Sequence, residues 1–283
     1  MSGYAGLRRL SGFTLTASNP ATVASAYVEH LGYEIVDEGV IDADTATRWR
    51  SPKITHRRFV ELAPAPTASD DCFMRFVEQT PPSDVPMLGY GWNAVEISCE
   101  DPYSLAKQFE RSPFRVIIPP RPLPFDNDFH AMQVIGPAGE LLYFTAVPRN
   151  KPLFDLRPAQ RRVDEPFIAI LGGPDAKKIL GFYREILQTP TLPTAPVDIQ
   201  IVNDAFDLPN GTLTQLGIVK LPARYLIEVD EHPPASKPRS RRADELPHGI
   251  AMVSFDVGRL RSGQSTRVVE GLAGEWLELP MPN

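Results

Sequence analysis

Apolar residues fall into the same strand-then-helix pattern four times along the chain. In each case an apolar strand leads to a residue that can cap a helix, and an amphipathic segment follows. In the first case Asn19 precedes Pro20, and apolar residues then recur at helical spacing up to Gly32, which favours helix termination. The four openings are FTLTASNPATVASAYVEHLGYEIV, WNAVEISCEDPYSLAKQFERSPFRVI, FIAILGGPDAKKILGFYREILQT and GIAMVSFDVGRLRSG. The helical segment of the last opening is short and polar, so its pattern is the poorest of the four.

The spacing of the predicted caps indicates a duplicated module. The caps Asn19, Asp101, Asp175 and Asp256 are separated by 82, 74 and 81 positions. About three strands fit after each helix, as in FRVII, HAMQVI and ELLYFTAV. The sequence therefore predicts an α+β fold of four βαβββ modules. The polar, proline-punctuated segment 149–166 divides them into two pairs, which predicts domains at 1–150 and 151–283.

Composition narrows the classes of partner. A formal net charge of −6 argues against nucleic acid, because a phosphate-binding face normally needs a net basic surface. No apolar run is long enough to span a membrane, and the N-terminal segment has no apolar signal core. Cys72 and Cys99 lie in apolar stretches and are expected to be buried thiols. These features favour a cytoplasmic location. The predicted partner is a small molecule, and the protein is expected to be a monomer or a homodimer.

Two segments resemble the vicinal oxygen chelate superfamily, which includes glyoxalases, extradiol dioxygenases and bleomycin-resistance proteins. SNPATVASAYVEHLGY matches that superfamily's capped helix ending in Leu-Gly-aromatic, and GPAGELLYFT matches its turn and final strand. The resemblance covers nearly the whole chain and implies that the modules pair into two domains with cup-shaped mixed sheets. It says little about activity, because the superfamily supports many chemistries on one fold.

The resemblance also implies where a metal would bind. One ligand position is a His in the first strand, seven residues before the cap, and the other is a Glu in the last strand. The first-strand positions are Gly12, Ala94, Ile168 and Gly249, none of which has a metal-binding side chain. The last-strand positions are Arg75, Tyr143, Glu228 and Glu278. We therefore expect no cofactor, with a divalent metal left open, and an alternative metal site would consist of His248, Glu228 and Glu278.

The last-strand residues are the candidate catalytic groups. Arg75 and Tyr143 could grip a carboxylate or stabilise an enolate oxygen. Alternatively, Arg75 is salt-bridged at the rim and Tyr143 belongs to the core. Glu228 and Glu278 would repel each other in a shared apolar cup, so one would keep its proton near neutral pH and the pair could act as general acid and base. Alternatively, both glutamates are exposed and paired with arginines.

His130, Trp92 and Phe144 are the candidates for substrate binding. The function predicted from these residues is metal-independent or atypically metallated acid–base chemistry, of the lyase or isomerase type, on a small aromatic or carboxylated metabolite. Two alternatives stay open: a non-catalytic protein that sequesters a small molecule, as bleomycin-resistance proteins do, and a metal-dependent extradiol-type dioxygenase. The four-module length favours an enzyme, because the small resistance proteins usually dimerise single domains.

Overall fold

The structure is a computed structural model, and it describes residues 6–80, 89–123, 126–149, 156–222, 225–239 and 241–281. Sixteen strands and five short α-helices lie in these ranges, which confirms a mixed α+β fold. No helix of the described residues has both the length and the apolar character needed to cross a membrane.

The first two modules follow the predicted order of elements. The first comprises β1 (Leu10–Ala17), α1 (Pro20–Ala26) continued by a π-helical turn (Tyr27–Leu31), β2 (Tyr33–Val40), α2 (Ala43–Arg48), β3 (Arg58–Pro64) and β4 (Phe73–Glu78). The second comprises β5 (Gly89–Cys99), α3 (Pro102–Phe109), β6 (Arg115–Leu123), β7 (Asp126–Ile135) and β8 (Leu141–Ala146). In the first module, α2 and a 3₁₀ turn (Pro52–Ile54) are inserted between β2 and β3.

The third module repeats the plan of the first, and the fourth is reduced. The third comprises β9 (Val163–Gly173), α4 (Ala176–Glu185), β10 (Thr191–Asp198), α5 (Gln200–Ala205), β11 (Leu213–Lys220) and β12 (Leu226–Glu231). After a two-residue strand, β13 (Lys237–Pro238), the fourth comprises β14 (Ile250–Phe255), a 3₁₀ turn (Leu260–Ser262), β15 (Thr266–Glu270) and β16 (Trp276–Pro280).

Three of the four predicted helix caps are confirmed. The side chains of Asn19, Asp101 and Asp175 accept hydrogen bonds from backbone N–H groups in the first turns of α1, α3 and α4. The prediction at Asp256 is wrong, because no α-helix follows it in the described chain. Asp256 has a positive φ of 57°, and its carboxylate accepts the N–H of Arg8 instead.

The strands form two sheets that curl into cup shapes. The seven-stranded sheet has the order β15-β16-β14-β1-β4-β3-β2. The nine-stranded sheet has the order β10-β11-β12-β9-β5-β8-β7-β6, with β13 beside β5. The first module thus shares a sheet with the fourth, and the second with the third. The predicted ranges 1–150 and 151–283 do not coincide with the sheets, because β1 pairs antiparallel with β14 and β5 with β9.

Modules one and two, like modules three and four, lie in different sheets and are linked by a tyrosine–glutamate hydrogen bond. Tyr27 in the first module donates to Glu140 in the second at 2.7 Å, and Tyr183 in the third donates to Glu275 in the fourth at 3.2 Å. Both glutamates follow the Gly-containing turn before the last strand. Burial raises the pKa of each of these carboxyls to about 7. The two contacts therefore occupy equivalent places in the duplicated halves.

Candidate functional site

The predicted site residues divide between the concave faces of the two sheets. We call the concave face of the seven-stranded sheet the first cup and that of the nine-stranded sheet the second cup. Arg75 on β4 and Glu278 on β16 belong to the first cup, whereas Tyr143 on β8 and Glu228 on β12 belong to the second. The predicted associations of Arg75 with Tyr143 and of Glu228 with Glu278 are therefore wrong, because the sheets combine modules one with four and two with three.

Arg75 lies at the centre of a buried ion-pair network in the first cup. Its side chain is 1% exposed, its Nε donates to Glu61 Oε1 at 2.7 Å, and its Nη1 lies 3.3 Å from Glu278 Oε2. Nη1 also donates to Thr14 Oγ1 at 3.0 Å, and the guanidinium lies 5.0 Å from the centre of the Trp49 ring. Burial alone would lower the pKa of Arg75, but the two carboxylates hold it above its ordinary value. Arg75 is salt-bridged, but it is buried and not at a rim.

Glu278 is a fully paired carboxylate. One of its oxygens accepts hydrogen bonds from Trp49 Nε1 at 2.8 Å and Thr266 Oγ1 at 3.0 Å, and the other accepts from Ser254 Oγ at 2.6 Å. Burial opposes its ionisation, but the Arg75 charge and these hydrogen bonds hold the pKa of Glu278 below its usual range. Glu278 is therefore an ionised structural partner of Arg75, with no repelling carboxylate of Glu228 beside it.

Apolar side chains close the first cup. The insertion that contains α2 and the following 3₁₀ turn packs onto its concave face. The buried members of this cluster are Ile41, Ala46, Trp49, Ile54, Phe59, Val77, Leu246, Ala251, Met252, Val268 and Trp276. The first cup is thus filled as a second hydrophobic core around an internal ion pair.

The second cup carries a group of acidic residues. Strand register puts Glu96 on β5 beside Tyr143 on β8, and Glu228 on β12 beside Ile170 on β9. Asp230 follows Glu228 by two positions, so its side chain lies on the same face. Glu96, Tyr143 and Asp230 are buried, and Glu228 is partly exposed. We call Glu96, Tyr143, Glu228 and Asp230 the acidic cluster.

Burial raises the pKa values of the acidic cluster, and at Tyr143, Glu228 and Asp230 the charges of neighbouring carboxyls add to it. Burial raises the pKa of Glu96 to about 7, and burial together with the Glu96 charge raises that of Asp230 to about 7. The pKa of Glu228 is raised well above its ordinary value by burial, then by the charges of Asp230 and Glu96. Burial and the same three carboxyls also raise the pKa of the Tyr143 phenol. At neutral pH the cluster therefore holds protons that exposed carboxylates would have lost.

Several polar atoms of the second cup have no hydrogen-bond partner among the described residues. The buried atoms without a partner include both carboxyl oxygens of Asp230 and the Oη of Tyr143. Gln133 on β7 lies near the phenol, but the two side chains make no hydrogen bond of normal geometry. The Thr145 hydroxyl on β8 is likewise buried without a hydrogen bond of normal geometry, although it acts to lower the pKa of the neighbouring Glu96. Such groups are rare in folded proteins and commonly mark a place where a ligand or water binds.

One end of the second cup is closed by a neutral histidine. His232 Nε2 lies 3.2 Å from Asn93 Nδ2, and its Nδ1 lies 3.3 Å from Ser236 Oγ. Burial, and then the charge of Arg239, lower the pKa of His232 to about 4. A side chain at Gly172 would collide with both Asn93 and His232, so glycine is required for this packing. His232 is buried although its neighbours in the chain are polar.

Sequence reasoning also missed Glu96 and Asp230. A signal was present, because both are charged residues inside otherwise apolar strands, in WNAVEIS and YLIEVDE. Glu96 comes two positions after Ala94, and Asp230 two positions after Glu228. In a strand, residues two apart share a face. Both acids could therefore have been assigned to the concave face from the predicted register alone.

His130 and Phe144, predicted to bind substrate, lie on the convex side of the nine-stranded sheet. Gln133 pairs with Tyr143 on the concave face, so strand alternation turns His130 and Phe144 the other way. The His130 Nδ1 lies 3.0 Å from the Tyr103 hydroxyl of α3. Phe144 packs against another ring of α3, with ring centres 5.4 Å apart.

Trp92 and His248 also lie outside the second cup. The Trp92 Nε1 donates to the backbone oxygen of Trp276 at 2.8 Å, in the other sheet, and a β-bulge separates Trp92 from Ala94. The ring of His248 lies 3.3 Å from the Gln79 amide beside the seven-stranded sheet. The alternative metal set of His248, Glu228 and Glu278 is therefore wrong, because Glu228 belongs to the other cup.

A separate cavity lies where the two sheets meet. It has a volume of about 190 Å³ and is lined in part by Asp71, Ser98, Arg161, Asp164 and Tyr225. Arg161 is bound there by the Asp71 and Asp164 carboxylates. These two carboxylates neutralise the charge of Arg161 inside the cavity.

Comparison with known proteins bears on the fold. No protein-family model and no curated protein matches the sequence. Glyoxalase I from Zea mays superposes with a TM-score of 0.61 at 11% identity, covering 96% of this chain and 92% of that chain. A predicted dioxygenase from Bacillus subtilis subsp. subtilis str. 168 superposes with a TM-score of 0.61 at 10% identity, covering 97% and 85%. The chain has the vicinal oxygen chelate fold. At such low identities the likeness establishes the fold alone.

The ligand positions implied by the vicinal oxygen chelate fold do not fit a metal ion here. In the second cup they are Ala94, Ile168, Tyr143 and Glu228, and the first two have no donor atoms. In the first cup the guanidinium of Arg75 occupies a ligand position. Within the described ranges, no three His, Cys, Asp or Glu side chains come together in a way that could hold a metal.

Proposed function

We propose that this protein is an acid–base enzyme of the lyase or isomerase type, and that the second cup is its active site for a small molecule. The acidic cluster carries the proposal. Three carboxyl groups and a phenol share one concave face, and some of their oxygens have no partner in the described chain. Groups that act as general acid and base work best when their pKa lies near the working pH.

The pKa values of the acidic cluster suit a proton relay. With a pKa of about 7, Glu96 and Asp230 are each partly ionised at neutral pH. An ionised carboxyl would take a proton from a carbon next to a carbonyl group, and a protonated neighbour would return one to a different atom. The Tyr143 hydroxyl keeps its proton, since its pKa is raised, and would donate a hydrogen bond to the oxygen that gains charge.

The chemistry can be tested without knowledge of the natural substrate. The protein would be incubated in deuterium oxide with a panel of small aldehydes and ketones, and loss of α-proton signals followed by NMR. Exchange should slow roughly 100-fold or more in Glu96→Gln and Asp230→Asn, the usual scale of general acid–base catalysis. Glu29→Gln is the matched control, because its side chain is 75% exposed on the π-helical turn after α1. Exchange that is equal in all variants would contradict the proposal.

Metal removal gives a second test. The protein would be purified without chelator, analysed for metal content, and assayed before and after dialysis against EDTA. Because Ala94 and Ile168 offer no ligand atoms at the positions implied by the fold, activity should survive dialysis. Activity that is lost with EDTA and restored by one divalent metal would overturn this part of the proposal.

A non-catalytic binding protein is the second candidate. The buried apolar side chains of Ala94, Ile168 and Ile170 lie between the polar groups of the second cup, and a carbon skeleton bound there would pack against them. Ligand binding in the cup without proton exchange, and with no loss of affinity in Tyr143→Phe, would favour this candidate over the enzyme.

A further inference from the structure

The charge of the second cup restricts the ligand that it can accept. Glu96, Glu228 and Asp230 are the carboxyls of the acidic cluster, and no basic residue contributes to the pKa of any of them. This contrasts with the first cup, where Arg75 neutralises two glutamates. An anionic ligand would face three acids with no counter-charge, so the predicted carboxylated metabolite is disfavoured here.

Two arginines near the second cup are bound to other groups. Arg121 on β6 donates to Gln200 on α5. Arg239 donates to Asn93 Oδ1 at 2.7 Å and to a backbone oxygen of β5 at 2.9 Å. Lys220 lies at the end of β11, opposite Leu226, and does not contribute to the pKa shift of Glu228. His232 has its pKa lowered to about 4, so it is neutral at physiological pH.

The carboxyls are separated by a width that suits an organic cation. Glu96 is on β5 and the other two acids are on β12, with β9 between these strands. Strands two apart in a sheet are roughly 10 Å from each other. The floor between the acids is formed by Ile168, 6% exposed, and Ile170, fully buried. Tyr143 stands beside Glu96 with its hydroxyl unpartnered and its side chain only 8% exposed, a second polar group available to a ligand.

We propose that the second cup selects a small amphipathic cation: an ammonium group on an apolar carbon skeleton. The ammonium group lies between the β5 and β12 carboxyls, and the skeleton lies on the isoleucines of β9. Tyr143 contributes an aromatic face, to which cations are attracted at distances up to about 6 Å. This inference rests on the proposed function, since it uses the same cup, and it replaces the aromatic or carboxylated metabolite with an amine.

Three probes of equal size and different charge test the proposal. Benzylamine, benzyl alcohol and benzoate would be titrated into the full-length protein at pH 7 by calorimetry, with binding located by NMR shifts. Benzylamine, protonated at this pH, should bind at least tenfold more tightly than benzyl alcohol, and benzoate should not bind. Because a bound cation favours the ionised carboxyls, benzylamine binding should release protons, visible as heats that differ between phosphate and Tris buffers.

Substitutions in the acidic cluster test whether its carboxyls cause the preference for a cation. Glu96→Gln and Asp230→Asn should each weaken benzylamine binding tenfold or more while leaving benzyl alcohol unchanged, and Glu29→Gln should change neither. Far-UV circular dichroism would verify folding, and either acid variant suffices if the other is unfolded. Benzoate binding as tightly as benzylamine, or benzylamine affinity unchanged in both acid variants, would overturn the inference.

Three further outcomes bear on this inference and on the proposed function. If benzyl alcohol or benzoate binds in the second cup and benzylamine has no advantage, the cation preference fails and the location of the site survives. If none of the probes shifts residues of the cup, both proposals fail. The third outcome is stoichiometric binding of Mn²⁺ in the absence of any organic probe. If this binding is abolished in Glu96→Gln, the carboxyls bind a metal ion and the proposed amine ligand is overturned.

Discussion

The substitution Glu96→Gln should stabilise the protein above neutral pH. Glu96 is buried on β5, and burial raises its pKa from 4.5, the value of an exposed glutamate, to about 7. The folded state therefore keeps a proton that the unfolded state loses. For a group with a raised pKa, stability is fully present below the unfolded value and is lost as pH rises through the folded one. Glutamine resembles the protonated acid in shape and cannot ionise, so it removes this loss.

The size of the effect follows from the two pKa values. At about 1.4 kcal/mol per pKa unit, ionisation of Glu96 above pH 7 costs roughly 3 kcal/mol. At pH 4, where the carboxyl is protonated in both states, wild type and Glu96→Gln should have nearly equal free energies of unfolding. The difference should grow between pH 4.5 and 7 and level off above pH 7. Relief of the neighbouring Asp230, whose pKa is raised in part by the Glu96 charge, adds to the gain.

Equilibrium urea unfolding at pH 4, 6 and 8, followed by tryptophan fluorescence, measures these differences. Glu29→Gln serves as the control for a general charge effect, because its side chain is 75% exposed, and it should change stability by less than about 0.5 kcal/mol at each pH. A Glu96→Gln variant that is destabilised equally at all three values, or stabilised only in acid, would refute the reasoning. Glu96 would then be ionised in the folded protein and bound by a partner that the structure does not show.

Three further substitutions test the other contacts. Arg75→Met removes the cation that pairs with buried Glu278 and should cost about 3–5 kcal/mol in urea unfolding. Part of the loss should be recovered in the double variant Arg75→Met, Glu278→Gln. Tyr27→Phe removes the 2.7 Å hydrogen bond to Glu140 and should cost about 1–3 kcal/mol by the same assay. Gly172→Ala places a Cβ 2.1 Å from the nearest side-chain amide nitrogen, so it should lower the melting temperature and disturb NMR signals of the second cup. Gly274→Ala is the control: its Cβ would have no atom within 4 Å, but the residue has a φ of 74°, so this variant should lower only the melting temperature.

Local chemistry explains what the sequence could predict. The caps at Asn19, Asp101 and Asp175 depend on residues within one helical turn, so the printed sequence contains the cause of each. The same is true of the module repeat, since strand, cap and amphipathic helix recur at similar spacing. The predicted helix after Asp256 does not form. Its segment is short and polar, and the Asp256 carboxylate binds the backbone N–H of Arg8, which is distant in the sequence.

Pairing between modules could not be predicted in the same way. Sequence similarity identifies the modules, but it does not say which first strands meet, and the antiparallel contacts of β1 with β14 and β5 with β9 join residues far apart in the chain. Because the candidate pairs were assigned to consecutive modules, both pairs were split. The face assigned to each single residue was more predictable than the pairing of residues. Arg75 and Tyr143 both lie on concave faces, as the predicted last-strand register implied.

The contrast between the two cups explains why the second is the stronger candidate site. Both the first and third modules carry an insertion between their second and third strands, containing α2 and α5 respectively. In the first cup this insertion supplies Trp49, which binds Glu278, and one arginine neutralises two glutamates. Three acids in the second cup have no such cation, and both oxygens of Asp230 lack a hydrogen bond within the described chain. Buried acids without a compensating cation lower stability at neutral pH, so they are expected mainly at functional sites. A cup with only a structural role could instead be filled with apolar side chains and a neutralised ion pair, as the first cup is.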